Sequence, residues 1–394
     1  MQQAASTHRY LTPERIMIRD TAREFTLNEV LPVANALDPV QGDIPLQLRD
    51  KLADMGYFGI RVPEEYGGSG LGVFEYCLVT EQLARGWMSV ASIIARGNGT
   101  MTMSLLDAAQ RARLMPRVVR GEYLGAMSLS EPDTGSDLAS ISCRAERDGD
   151  AWFITGNKYW CTFADGADYI LLFARTGAPP DPQRRHLGIS AFLLDKPRGA
   201  LPAGVLGAEI PKIGYFGWKT YELAFDRFRA PASALIGDEG KAFYALARSL
   251  DEARAHTAAR AIGLAQGALE DALAYARQRQ QFGKPIAEFQ DLRFKLARMA
   301  TDIEAARQLL YYVCDRIDGG ERCDKEASMV KYFASEMAER VTSDALQIFG
   351  GAGYTKLFAV ERYWRDARLT KIFEGTSEIQ LRIISDHLLG KPGS

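Results

Sequence analysis

The sequence predicts an α+β chain in three parts: a helical N-terminal region, a middle region of short strands, and a helical C-terminal region. Three observations predict it. Up to about residue 123 the texture is helical. Thr12-Pro13-Glu14-Arg15 gives a helix start with proline in the first turn. A Gly-rich turn, Glu64-Glu65-Tyr66-Gly67-Gly68-Ser69-Gly70, interrupts that region. In the middle, β-branched and aromatic residues cluster in short runs. Trp152–Thr155, Tyr169–Phe173 and Ile189–Leu194 read as strands of a compact antiparallel sheet or barrel. In the last part, Leu292, Leu296, Met299, Ile303, Ala306, Leu310, Val313 and Ile317 alternate steps of four and three, one apolar stripe down a long helix. Met329, Phe333, Met337 and Val341 begin a second stripe, as a helix bundle requires. The parts are placed at 1–123, 124–235 and 236–394.

Bulk properties exclude several classes. A chain of 394 residues has room for two or three packed units. With 47% hydrophobic and 25% charged residues and a formal net charge of −2, nothing points to nucleic acid or an anionic membrane. No apolar run nears the ~20 residues that span a bilayer. Met1–Tyr10 is polar, so no secretory signal is expected. The five cysteines form no CxxC pair, and with four scattered histidines no metal-ligand spacing emerges. Reduced thiols fit a cytoplasmic protein. Pro179-Pro180-Asp181-Pro182 marks a loop. There is no βαβ alternation, no G-x-G-x-x-G between strand and helix, and no P-loop, which disfavours a nicotinamide Rossmann enzyme.

Four segments carry candidate chemistry, each with a plainer reading beside it. Phe373-Glu374-Gly375-Thr376-Ser377-Glu378-Ile379-Gln380 precedes a final helix, because Ser377 and Gln380 have capping-box spacing. Glu374 then sits between an apolar wall that raises a carboxyl pKa and a helix N-terminus that lowers it, as a general base would. The plainer reading is a first-turn acid favoured by the helix dipole. Ser128–Asp137 is a turn dense in hydroxyls and backbone donors, suited to a phosphate or a ring carbonyl, or simply a surface turn. Lys158-Tyr159-Trp160-Cys161-Thr162 puts an exposed-edge Trp with a hydroxyl two residues on, able to cover a flat ring, unless the Trp is core. Arg277–Lys284 and Gln347–Tyr354 close helices with glycine, and Arg279 has the chemistry to pair with a diphosphate.

Taken in order, Val62-Pro63-Glu64-Glu65-Tyr66-Gly67-Gly68, Ser130-Glu131-Pro132, Trp160, Arg279-Gln280-Gln281-Phe282-Gly283 and Glu374-Gly375-Thr376-Ser377-Glu378 resemble the acyl-CoA dehydrogenase family over nearly the whole chain. The resemblance implies an N-terminal helical domain, a middle antiparallel β-barrel domain and a C-terminal four-helix bundle. It implies a homotetramer built as a dimer of dimers, with FAD as cofactor. Leu129, Ser130 and Ser136 are implied flavin neighbours, Trp160 and Thr162 lie against its ring system, and Thr376 and Glu378 flank it. Arg279, Gln281, Phe282, Gln347 and Gly351 are implied to reach the FAD of a neighbouring subunit. Ser136, Asp251, Arg254 and Gly375 are implied to meet the acyl-CoA.

The family carries its base either in the Glu-Gly-Thr turn or on the helix at the position of Ala253. Alanine accepts no proton and Glu252 is one residue off, so the resemblance assigns the base to Glu374. It would take the α-proton of an acyl thioester while the β-hydride goes to the flavin. Electrons would then pass to an electron-transfer flavoprotein. Ile213–Thr220, Arg254–Ala259 and Arg260, the last where a small residue is usual, resemble the methylsuccinyl-CoA subgroup. The expected substrate is therefore a short or branched acyl-CoA, with or without a distal carboxylate, in fatty-acid or branched-chain metabolism. Arg96 is the candidate to pair with such a carboxylate; Arg85 is a second, and Arg184 and Arg185 are candidates for the CoA phosphates. Rival readings are an acyl-CoA oxidase, a dehydrogenase of a carrier-protein thioester, and a flavin-free binding scaffold.

Overall fold

A computed structural model describes residues 9–179, 181 and 184–390; Met1–His8 of the predicted polar start, and Pro180 and Pro182 of the predicted loop, lie outside the described residues. The chain forms two compact units. One comprises Met1–Gly42, Leu71–Ile93 and Asp251–Ser394; the other comprises Asp43–Gly70 and Ile94–Leu250.

The first unit is helical. Its long elements are α1 (Pro13–Phe25), α2 (Val73–Gly86), α3 (Ala242–Gln278, the part from Asp251 on), α4 (Gln290–Asp318), α5 (Asp324–Phe349), α6 (Val360–Thr370) and α7 (Ser377–Leu389). Thr12 caps α1 as its sequence predicts, accepting from the Arg15 N–H at 3.3 Å. In α4 the predicted stripe is the buried one from Leu296 to Val313, with Leu292 and Ile317 half-buried at its ends. In α5 the prediction is half right. Met337 and Val341 are buried, but Met329 and Phe333 are half-buried, and the fully buried line runs through Val330, Ala334, Ala338 and Ala345. The reason is that α5 packs against α4, α6 and α7, so its buried face is broad and lined with small residues. Every residue of α2 but Glu75 is buried. Its charges are matched across the unit: Glu81 pairs with Arg307 of α4 at 2.9 Å, and Arg85 pairs with Glu270 of α3. The start of α2 has no side-chain cap of its own. Asp318, at the end of α4, accepts from the Val73 and Phe74 N–H groups at 2.6 and 2.9 Å. Residue 72 is glycine because a Cβ there would run into that carboxylate.

In the second unit, helices Leu46–Asp54 and Ala108–Val119 accompany an eight-stranded sheet. Its strands are β1 (Gly125–Ser128), β2 (Arg144–Asp148), β3 (Ala151–Thr162), β4 (Tyr169–Arg175), β5 (Ile189–Asp195), β6 (Val205–Glu209), β7 (Thr220–Pro231) and β8 (Leu235–Ile236). They run in the order β6-β7-β3-β2-β4-β5-β8, with β1 on β4. The three strands predicted from sequence are β3, β4 and β5. Pairing is mostly antiparallel, as expected, but β1 lies parallel to β4, and β2 meets β4 in parallel through Arg144 and Arg175. Tyr169–Ala174 of β4 is buried throughout, the signature of a strand covered on both faces. The Gly-rich turn is a short 3-10 turn, Glu64–Tyr66, ended by Gly67 at φ 87°.

The cap lent by Asp318 gives a stability test. Asp318→Ala is expected to cost about 1–2 kcal/mol, the usual worth of a lost N-cap, read as a lower urea midpoint with unchanged slope. An unchanged midpoint would mean that α2 does not depend on it.

Candidate active site

Glu374 lies in a tight turn between α6 and α7, with φ +54°, followed by Gly375 at φ +89°. A non-glycine residue in the left-handed region is strained and persists only when its surroundings fix it. Three contacts fix this one. Lys331, buried on α5, donates to the Gly375 carbonyl at 2.6 Å, and Gln380 of α7 donates to the same oxygen at 3.0 Å. The third is the cap of α7, which corrects the sequence reading. Thr376, not Ser377, is the N-cap, its Oγ1 accepting from the Ile379 N–H at 3.3 Å. Ser377 instead donates to Glu336 at 2.8 Å, and Gln380 holds the turn. The cap therefore falls one residue earlier than the sequence predicts, and no capping box forms. Burial drives the Lys331 pKa down to about 8, with Glu374 pulling the other way.

The Glu374 carboxylate is held from α3 at both oxygens. Oε1 accepts from Arg260 at 2.7 Å and Oε2 from the Thr257 hydroxyl at 2.6 Å. Arg260, 1% exposed, also donates to Ser92 and Thr257, each at 2.9 Å, and its guanidinium lies 4.5 Å from the Phe373 ring centre. His256 stacks on Tyr76 at 4.8 Å with its Nε2 3.2 Å from the Ala91 carbonyl. Burial pushes the Glu374 pKa up, but Arg260, His256 and the Thr257 hydrogen bond outweigh it, so the carboxyl sits below its ordinary value. Beside the burial expected from an apolar wall stands a cation, Arg260, whose own guanidinium lies over the Phe373 ring. The Glu374 side chain keeps 34% exposure, which leaves it accessible.

In the second unit, Trp160 lies on β3 beyond Thr155, where the pairing with β2 ends and β7 is the strand paired with it among the described residues. The pairing with β7 shifts register between Lys158 and Cys161, a bulge, and Trp160 sits there at φ +62°. A bulge re-aims a side chain that the pleat would otherwise place. Trp160 is accordingly 56% exposed, while Lys158 and Cys161 beside it are buried. Thr162 is half-buried, with its hydroxyl 3.0 Å from that of Thr220. The Ser128–Asp137 turn is organised by Glu131. Its carboxylate accepts from Ser142 N–H, Cys143 N–H and the fully buried Lys158 at 2.7–2.9 Å. Lys158 also donates to the Leu129 carbonyl at 2.9 Å, and Tyr159 N–H to that of Ser130 at 2.8 Å. The same motif therefore locks the loop to the bulged strand. Ser136 is exposed; Leu129 and Ser130 are half-buried.

Other predicted residues separate clearly. Arg279, Gln281, Phe282, Gln347 and Gly351 are exposed, Phe282 at 92%. Gly283 does not close a helix, since α3 ends at Gln278. Phe282 and Gly283, both at positive φ, form the two-residue loop of a hairpin in which Gln281 pairs with Lys284. Gly350, at φ +60°, does close α5. Asp251 and Arg254 pair with each other at 2.8 Å. Arg85 is committed to Glu270, which removes it as a free carboxylate reader. Arg185 pairs with Asp137 at 2.9 Å on the surface, and Arg184 is exposed. Arg96 is half-buried, 5.4 Å from the Trp218 ring centre, with a buried Nε that has no hydrogen-bond partner among the described residues. Thr257 and Lys331 were not singled out from sequence. Their signal was faint: Thr257 and Arg260 are i and i+3 in an alanine-rich buried helix, where polar groups need a partner.

A helical unit, a sheet of this order and a carboxylate held in a Glu-Gly-Thr turn define a class, and sequence comparison bears on it directly. Models of the acyl-CoA dehydrogenase N-terminal, middle and C-terminal domains match residues 12–122, 126–228 and 240–389. The chain belongs to the acyl-CoA dehydrogenase family and is an enzyme of that family, whose members are FAD-dependent. It is 41% identical to an acyl-CoA dehydrogenase of Bacillus subtilis (strain 168), covering 97% of this chain and 99% of that one. It is 41% identical to a (2S)-methylsuccinyl-CoA dehydrogenase of Cereibacter sphaeroides, covering 96% of this chain and 70% of the relative. The solved butyryl-CoA dehydrogenase of Megasphaera elsdenii superposes with a TM-score of 0.89 at 34% identity, covering 96% of this chain and 99% of that one. A glutaryl-CoA dehydrogenase of Mycobacterium smegmatis, solved in complex with FADH2, superposes with a TM-score of 0.89 at 28% identity, covering 98% and 97%.

The Glu131–Lys158 pair gives a second stability test. Burial raises the Glu131 pKa, but Lys158 and the two N–H donors outweigh it, so the carboxyl is depressed in the folded state. Its contribution is present above the unfolded value of about 4.3 and is lost as pH falls through the lower folded value. Glu131→Ala strands a buried cation and is expected to cost about 3–5 kcal/mol at neutral pH, measured by denaturant unfolding. A cost like that of a surface substitution would contradict the pairing.

Proposed function

We propose that this chain catalyses FAD-dependent α,β-dehydrogenation of a short or branched acyl-CoA, with or without a second carboxylate, with Glu374 as the base. One observation carries the reading: the Glu374 carboxylate is held at both oxygens, by Arg260 and the Thr257 hydroxyl, and is still accessible at the tip of a fixed turn. A thioester α-proton is weakly acidic, so the reaction needs a positioned base and donors for the developing enolate oxygen. We assign one such donor to the backbone N–H of Glu374. Removing a proton from a fixed carbon is favoured when the carboxylate has lost its freedom beforehand, and here Thr257, Lys331 and Gln380 take that freedom away.

The residues suit FAD. An indole more than half exposed at a strained bulge is a ready platform for a flat ring, with the Thr162 hydroxyl two residues on. Leu129, Ser130, Ser136, Thr376 and Glu378 are the other contacts we assign to it. When bound, FAD supplies the acceptor for the β-hydride. Arg279, Gln281, Phe282, Gln347 and Gly351 are exposed, as they would be if they met the cofactor of another copy in a homotetramer. Asp251, Arg254, Ser136 and Gly375 are assigned to the acyl-CoA. Electron-transfer flavoprotein, the typical acceptor of the family, is the assigned partner.

The reading extends to substrates with a second carboxylate on the strength of a 41% identical relative named for methylsuccinyl-CoA. Arg96, whose buried Nε has no hydrogen-bond partner among the described residues, is the guanidinium assigned to that carboxylate.

Anaerobic bleaching of the yellow holoenzyme tests the reaction. Methylsuccinyl-, butyryl-, isobutyryl- and 2-methylbutyryl-CoA are expected to give higher kcat/KM than octanoyl- or palmitoyl-CoA. A clear win for the long chains would remove the assignment. Because Arg260, His256 and the Thr257 hydrogen bond pull the Glu374 pKa below its ordinary value, kcat/KM for butyryl-CoA is expected to stay flat as pH falls to about 5, with its acid limb below the ordinary Glu value. A limb near neutrality would contradict a base paired to Arg260.

A further inference from the structure

Two side chains of α3 grip the Glu374 carboxylate, and they differ in kind. A guanidinium such as that of Arg260 can only donate. A hydroxyl such as that of Thr257 carries one proton and two lone pairs, so it donates once and accepts twice. The structure places a partner at each of these positions. Thr257 Oγ1 lies 2.6 Å from Glu374 Oε2 and 2.9 Å from the Ala253 carbonyl one turn back along α3, and it accepts from Arg260 at 2.9 Å. The side chain is fully buried, and a threonine bonded to the carbonyl four residues earlier has its rotamer fixed.

One proton cannot serve two acceptors at once. With Glu374 ionised, the carboxylate is the stronger acceptor and takes it. The Ala253 carbonyl, inside α3, keeps the N–H that an α-helix supplies. Proton uptake reverses the arrangement. The substrate's Cα–H bond breaks, the proton bonds to Oε2, and the electron pair stays on the substrate. Oε2 is then a donor. Thr257 answers by turning its own proton to the Ala253 carbonyl and offering the freed lone pair to the acid, while its other lone pair goes on accepting from Arg260. Every partner is served in both states without a shift of heavy atoms. The charged groups around the turn have no such reversal. Arg260 and His256, from α3, favour the ionised form of Glu374. Lys331, from α5, is engaged by the Gly375 carbonyl, and Glu336, also from α5, by Lys371 and Ser377. Glu378, at the start of α7, is exposed.

We infer that Thr257 is a positioning residue for the base: its hydroxyl donates to the Glu374 carboxylate before proton transfer and accepts from the carboxylic acid after it, holding the side chain in one place throughout. This rests on the reading of Glu374 as the base. A base whose position survives its own change of charge needs no reorganisation at the moment of reaction, which is where positioning contributes to rate.

The test uses holoenzyme carrying Thr257→Val, which keeps the shape and loses the hydroxyl, or Thr257→Ser, which keeps the hydroxyl, with flavin absorbance confirming loading. Two rates are measured under anaerobic conditions. One is flavin reduction by butyryl-CoA. The other is exchange of the α-hydrogens of acetyl-CoA with heavy water, which needs a base and no hydride acceptor. Thr257→Val is expected to slow both by about 10- to 100-fold, as a misplaced reacting group does, and Thr257→Ser to stay within about threefold of the unsubstituted enzyme. The acid limb of kcat/KM for butyryl-CoA is expected to rise in the Val variant by no more than about 1 pH unit, because one donor to the ionised form is gone. Should Thr257→Val fail to load flavin, Thr257→Ala reads the same quantities. Undiminished rates without the hydroxyl, even with a raised limb, or a Ser variant as slow as the Val variant, overturn the proposal. Glu374→Gln separates it from the reading beneath it. If Glu374→Gln exchanges and reduces at the unsubstituted rate, the base lies elsewhere and that reading fails. If Glu374→Gln is slow and Thr257→Val is not, the base stands and the role of Thr257 falls. Adding Thr257→Val to Glu374→Gln is expected to cost nothing further, because Thr257 acts through Glu374; a second loss of the same size contradicts the inference.

Discussion

The ion pair between Arg260 and Glu374 is the constraint around which the first unit's candidate site is arranged. It joins the middle of α3 to a turn more than a hundred residues later. The turn itself is strained, with two successive residues at positive φ, and it is kept by Lys331, Gln380 and Thr376. Lys331 and Gln380 grip the Gly375 carbonyl beside Glu374 and Thr376 caps the helix that follows, while Arg260 and Thr257 grip the carboxylate. A Thr hydroxyl has one proton, and here two acceptors compete for it: the carboxylate at 2.6 Å and the Ala253 carbonyl at 2.9 Å. Thr257 can therefore let go of Glu374 without being left unsatisfied.

The second unit solves a different problem by a similar route. A strand's pleat sends alternate side chains to opposite faces, and Lys158, two residues before Trp160, is buried. The bulge after Lys158 turns Trp160 outward at the cost of an unfavourable φ, and the Glu131–Lys158 pair ties the neighbouring loop to the same strand. In both units a residue at positive φ is held beside a buried ion pair, Arg260–Glu374 in one and Lys158–Glu131 in the other. This is the pattern expected where local structure serves chemistry and not stability.

Much of this was legible in the sequence, for identifiable reasons. Periodicity found the stripe of α4 because that helix buries one narrow face. It misplaced part of the stripe of α5, because a helix packed on several sides buries alanines that carry no hydrophobic signal. Pro and Thr marked the start of α1 correctly, but the cap of α7 slipped by one residue, since Thr376 and Ser377 are equally good caps in isolation. The importance of Trp160 was visible as a motif, yet the bulge that exposes it was not, because register shifts depend on the partner strand. Arg85 looked free in sequence and is committed to Glu270. The grip of Arg260 on Glu374 lay furthest out of reach: the residue stood out as unusual, but its partner is brought near only by the fold.

The central claim is that the carboxylate at position 374 removes the α-proton. The most direct measurement is single-turnover flavin reduction by saturating acyl-CoA, under anaerobic conditions, in fully loaded Glu374→Gln. Glutamine keeps the size and the hydrogen-bonding oxygen but cannot accept the proton. The account predicts a loss of at least about 100-fold in the reduction rate. A rate close to that of the unsubstituted enzyme would contradict it.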